Sequence, residues 1–203
     1  MKINFQILFI ASVSAQFGKH VYVEHEYEWP EAQQYCRDHY TDLSPLTSHR
    51  EEMKLKTATT GKVQKFWIGL YRNGTDWKWS GGGHFHFFCI NLIVMETKRT
   101  WLQAMWQCKN THTALVSLAS ETEHLLAVRE IQQDDVTELV WIGLRFLQDR
   151  WLWVNDDPLD YQAWPKEGDQ DHLCPLWKRC GALTKEGRWE NWDCDARLNF
   201  ICY

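Results

Sequence analysis

A duplication constrains this chain more than any other feature of its sequence. Trp29, Ala32, Cys36, Thr41, Leu43, Leu46, Ser48 and Glu51 recur 72 positions later as Trp101, Ala104, Cys108, Thr113, Leu115, Leu118, Ser120 and Glu123. The run "WIGLYRNGTDWKWS" (Trp67 to Ser80) then matches "WIGLRFLQDRWLWV" (Trp141 to Val154) at an offset of 74. Both carry a tryptophan pair, Trp77 with Trp79 and Trp151 with Trp153, and both copies close alike, "HFFC" at Cys89 and "NFIC" at Cys202.

The local physics is the same in each copy. Trp29, Ala32 and Cys36, like Trp101, Ala104 and Cys108, fall at i, i+3 and i+7, one face of a helix. Pro30 suits the first turn of the first helix, and Thr100 with Gln103 makes a capping box for its counterpart. Ser48-x-x-Glu51 and Ser120-x-x-Glu123 open a second helix by the same device, with Leu125, Leu126 and Val128 as its apolar face in the second copy. The "WIGL" runs and W-x-W pairs are predicted to alternate in and out as short strands. Each unit is therefore expected to be α+β: two helices, then a mostly antiparallel sheet.

The copies differ in length. From Trp79 to Cys89 is 10 positions, whereas from Trp153 to Cys202 is 49, so the first copy lacks about 39 residues. The expected organisation is a truncated domain over residues 20–90 and a complete one over 94–203. A remnant with so few strands is expected to expose Phe85, Phe87 and Phe88, and to need the second domain or a second chain against them.

Residues 1–15, "MKINFQILFIASVSA", have a charged start, an apolar middle and a small-residue end, the pattern of a secretory signal peptide. The other apolar run, Phe87 to Met95, has nine residues and is too short to span a bilayer. A secreted protein without a membrane span is the expectation. A net charge of −5, with no basic block, makes the chain a poor nucleic-acid binder. Seven cysteines in a secreted chain point to disulfides, with one cysteine left over.

A helix with a tryptophan and a cysteine, "WIGL", a tryptophan-rich strand, an inner cysteine pair and a closing "FIC", in this order and largely twice over, together resemble the C-type lectin-like domain. The tandem arrangement is similar to the macrophage mannose receptor group and to secreted fish lectins. The resemblance implies a disulfide-stapled α+β fold with a long loop region and the pairs Cys36–Cys89, Cys108–Cys202 and Cys180–Cys194. It leaves Cys174 over, with Cys180 as an alternative partner.

In sugar-binding members of that family, a Glu-Pro-Asn or Gln-Pro-Asp loop and an Asn-Asp pair after a tryptophan hold calcium. Calcium needs six to eight converging oxygens. Here the long loop offers Glu167-Gly168-Asp169, with glycine in place of the proline, and Trp189 is followed by Glu190-Asn191, with amide and carboxylate exchanged. Oxygens are plentiful in Glu167, Asp169, Asp171, Glu190, Asn191 and Asp193, but the preorganisation is missing. Three readings stand: a solvated acidic loop, a weak or altered calcium site on Glu167, Asp169, Glu190 and Asn191, and a fully competent sugar site. The first copy has neither motif.

Asn73-Gly74-Thr75 is an N-glycosylation sequon. His84 and His86 share a strand face but lack a third ligand, and Cys174, Cys180 and His172 are read as disulfide chemistry rather than a zinc site. No nucleophile or acid–base pair argues for an enzyme. The expectation is a secreted recognition protein for glycans or glycoproteins, using the second domain with Trp177 and Trp192 as aromatic contacts. The alternative is a calcium-independent module with a protein ligand. A stress or ice-surface role belongs to some members of the family.

Overall fold

The computed structural model describes residues 15–17, 19–45, 53, 55–57, 59, 66–67, 85–165 and 171–203. Residues 1–14 of the expected signal peptide, Ser48, Glu51, Asn73, Trp77, Trp79, His84, Glu167 and Asp169 lie outside these residues, as do the side chains of Phe85, His86 and Asp171.

The described residues form two sheets. The first holds β1 (Ala15–Phe17), β2 (His20–Tyr27), β3 (Asp42–Leu43), β4 (Phe66–Trp67) and β5 (Phe85–Ile90), with helix α1 (Trp29–His39) after β2. The second holds β6 (Ile93–Arg99), β7 (Leu139–Leu147), β8 (Arg150–Trp153), β9 (Cys180–Thr184), β10 (Trp189–Trp192) and β11 (Leu198–Cys202). Helices α2 (Trp101–Thr111) and α3 (Glu121–Glu130) lie between β6 and β7.

Equivalent residues make equivalent pairings in the two parts. Val21 pairs with Cys89 as Ile93 pairs with Cys202. Leu43 lies opposite Cys89 as Leu115 bridges Cys202. Trp67 runs parallel beside Phe87 as Trp141 does beside Phe200. Disulfides join Cys36–Cys89, Cys108–Cys202 and Cys180–Cys194, and Cys174 is free and exposed. In the chain-entropy account, closing the 94-residue separation of Cys108–Cys202 is worth about 4–5 kcal/mol.

The helix faces follow the spacing. Helix α1 buries Ala32 and Cys36, and α2 buries Trp101, Ala104 and Cys108. Thr100 and Gln103 form the expected box, each accepting the other's backbone N–H. At α3 only half of the device forms. Ser120 caps the Glu123 N–H, but the Glu123 carboxylate turns away to the Ala119 N–H and the Lys19 ammonium.

Four expectations need correcting. Phe87 and Phe88 are fully buried, not exposed. Phe87 packs with Val21, Val23, Ala32 and the Cys36–Cys89 pair, and Phe88 meets the Tyr22 ring; burying each is worth about 1.5–3 kcal/mol. The "WIGL" run does not alternate. Val140 through Leu144 are all buried, because β7 is central, with Val140, Ile142 and Leu144 in one core cluster and Trp141 in the other. Helix α3 buries Glu123, His124 and Ala127, while Leu125 is left exposed. Trp192 is half-buried rather than exposed.

Gly143 of that run is required sterically. A Cβ there would sit 2.8 Å from the Leu115 carbonyl oxygen and 3.0 Å from that of Val116. The close approach lets Gly143 N–H donate to Val116 O at 2.7 Å.

The two parts share a core and a buried ion pair. Ile90 and Leu92 sit in the cluster of Val116, Ile142 and Ile201. Lys19 Nζ lies 2.7 Å from Glu123 Oε2, with the two side chains only 6% and 0% exposed.

Candidate functional site: the long-loop face

Between β8 and β9 the chain makes a long excursion whose floor is aromatic. Tyr161, Trp164 and Trp153 each meet Trp189 edge-on, at ring separations of 5.8, 5.7 and 5.3 Å. Trp164 stacks on His172 at 4.6 Å and leans on Trp151 at 4.9 Å. Such pairs add about 0.5–1.5 kcal/mol each beyond their buried area. The indole N–H of Trp151 donates to His172 O at 2.7 Å, and that of Trp189 to His124 Nδ1 at 3.3 Å.

The far side of the loop is clamped by Cys180–Cys194. Arg145 Nη1 donates to both sulfurs, and its guanidinium lies 5.0 Å over the Trp101 ring. Desolvation, then Arg179, push the Arg145 pKa down against the pull of Asp195, so this cation sits in unfavourable surroundings. Asn155 ties the base of the loop, donating to Ser117 Oγ, Asp157 Oδ2 and Tyr203 OH at 2.7–3.0 Å.

On this floor the segment after the short 3₁₀ turn Asp171–Leu173 turns its apolar side chains outward. Leu173, Leu176 and Trp177 are 63%, 76% and 72% exposed. Their backbone is nonetheless held, because Arg179 donates from N to Trp177 O at 2.9 Å and from Nε to Pro175 O at 3.3 Å. Trp192 is less available, packed beside the Trp101 cluster with Lys178 Nζ 5.3 Å over its ring.

The model of the lectin C-type domain matches residues 25–88 and 97–203. The chain belongs to the C-type lectin domain family. A snaclec of Daboia palaestinae, from VP12, is 30% identical over 131 residues, which is 60% of this chain and 92% of the snaclec. The secretory phospholipase A2 receptor of Bos taurus is 27% identical over 133 residues, and the match spans 64% of this chain but 9% of the receptor. Among solved structures, human lithostathine aligns at a TM-score of 0.48 and 27% identity, covering 55% of this chain and 88% of its own.

In this C-type lectin chain Glu190, Asn191 and Asp193 are the expected oxygen donors whose side chains lie among the described residues. Glu190 and Asn191 are successive residues of β10, opposite Ala182 and Gly181, so their side chains leave the strand on opposite faces. The Asn191 amide donates to Lys178 O at 3.3 Å, and Asp193 accepts from Asp195 N at 3.1 Å. Among the described residues no three His, Cys, Asp or Glu side chains are grouped to hold a metal ion. Calcium needs six to eight oxygens around one point, and of the four expected ligands Glu190 and Asn191 lie among the described residues while Glu167 and Asp169 do not.

Sequence reasoning singled out Trp177 and the loop disulfide. It missed Arg145, Asn155 and the Lys19–Glu123 pair. Their partners lie tens of residues away, and no periodicity carries such a signal. The tryptophan content alone hinted at the aromatic floor.

Proposed function

We propose that the chain is a secreted recognition protein without catalytic chemistry, taking a glycan or glycoprotein at the long-loop face of residues 94–203 and independently of calcium. The observation that carries this reading is Trp177, a large aromatic ring presented to solvent on a pinned backbone. An indole so held stacks on a sugar face at little entropic cost. The next residue, Lys178, is tied to β10 by the Asn191 amide, which donates to its carbonyl. Family membership supports a binding role, and among the described residues no helix is long and apolar enough to cross a membrane.

A protein ligand is the second reading. Leu173 and Leu176 beside Trp177 make a more apolar patch than a sugar requires, and exposed aromatic–aliphatic clusters anchor protein interfaces. One relative is named as a receptor for a secretory phospholipase A2.

The test is a glycan array probed with the secreted chain in calcium and in chelator, beside Trp177→Ala and Glu190→Ala. Binding that survives chelation and Glu190→Ala but disappears in Trp177→Ala is expected. Binding abolished by chelator and by Glu190→Ala, with Trp177→Ala unaffected, sinks the proposal.

A further inference from the structure

A groove runs between the two parts of the chain, and neither part forms it alone. One wall is α1, with Trp29, Gln33 and Arg37 at i, i+4 and i+8. The other is α3, with Thr122, Leu125, Leu126 and Arg129 at i, i+3, i+4 and i+7; Asp42 and Leu43 of β3 make the floor. Its volume of about 460 Å³ lies within the range of small-molecule sites, roughly 300–1,000 Å³.

The groove has an apolar stretch and a cationic end. Leu125 is 59% exposed, and it lines the opening together with Trp29, Leu43 and Leu126. At the other end Asp42 accepts from Arg37 Nε and from Arg129 Nη1, both at 3.2 Å. Arg129 is committed elsewhere too, donating to Thr41 O at 2.8 Å and to Glu130 Oε1 at 3.0 and 3.2 Å. Arg37 is different. Among the described residues its contact is through Nε alone, so both Nη amino groups keep their donors. The guanidinium is half-exposed, while the carboxylate that orients it is almost buried. Asp42 thus fixes the fork without covering it, and a planar fork with free N–H groups matches a carboxylate bidentately.

We propose that this groove binds a small amphipathic carboxylate, its apolar body against Trp29, Leu43, Leu125 and Leu126 and its carboxylate on the Nη groups of Arg37. The site is separate from the long-loop face and does not depend on what that face binds.

The test is calorimetric titration of the full chain with decanoate, and with decanol as the uncharged counterpart. Saturable 1:1 binding of decanoate is expected, with decanol at least tenfold weaker. Arg37→Gln should weaken decanoate about tenfold or more, since a charge-assisted contact is removed, and Leu125→Glu should do the same from the apolar side. Leu125 is exposed, so that variant folds, and Trp177→Ala serves as a control with unchanged affinity. No saturable decanoate binding by the parent chain, equal binding of decanol, or unchanged affinity in both groove variants overturns the proposal.

Discussion

The Lys19–Glu123 pair offers the sharpest test of how the two parts of this chain are joined. Lys19 precedes β2 and Glu123 lies in α3, 104 positions apart, yet their charged groups meet at 2.7 Å in a nearly water-free pocket. Lys19→Met leaves the Glu123 carboxylate buried with the Ala119 N–H at 2.8 Å in place of a full counter-charge. Stranding one member of a buried pair costs about 3–5 kcal/mol. For a chain of this length each kcal/mol lowers the Tm by about 2–4 °C, so the expected drop is about 6–20 °C. Scanning calorimetry of the parent, Lys19→Met, Glu123→Met and the double variant measures it. The double variant should recover part of the loss, because no charge is then left stranded. A drop under about 2 °C, or strictly additive single effects, would falsify the reasoning. The drop should also persist at high salt, since buried pairs are little screened.

His124 predicts a pH dependence. Its Nε2 bonds Gly187 O at 2.9 Å while Nδ1 accepts from Trp189, an arrangement that needs the neutral ring. Burial pushes its pKa down, against the Gly187 bond and Glu121. The unfolded chain then takes up a proton near pH 6.5 that the folded chain refuses. Stability should therefore hold above that pH and fall as the pH drops below it, and melting curves from pH 7.5 to 5 should slope more steeply for the parent than for His124→Gln. Gly143→Ala should cost about 1–3 kcal/mol in urea denaturation, because the added methyl meets backbone oxygens that cannot step aside. Glu190→Ala should leave the Tm and its response to calcium unchanged, read by calorimetry with and without chelator.

What the sequence shows and what it hides divide along physical lines. The faces of α1 and α2 are legible because a helix repeats every few residues and Ala32, Cys36, Ala104 and Cys108 obey that period. The repeated closing runs mark the strands that carry Cys89 and Cys202. The run from Val140 to Leu144 reads as alternating but is not, because burial on both faces comes from neighbours distant in sequence. Leu125 fits the apolar pattern of α3 yet faces the groove, a fact fixed only by where α1 lies. At the candidate site, Trp177 can be named from its loop, but the separation of Glu190 from Asn191 requires knowing that both sit within β10.

Only Asn91 and Leu92 separate β5 of one sheet from β6 of the other, and both are tied down. Asn91 N–H donates to Lys19 O, and Leu92 N–H and C=O both engage the Thr41 hydroxyl. The chain thus has no hinge at the junction where tandem modules ordinarily articulate. Its two parts behave as one body of fixed geometry, and a ligand spread over a surface meets them at a single set angle. A site on one part and a site on the other would therefore share a fixed spacing, because the linker at this junction cannot adjust its reach.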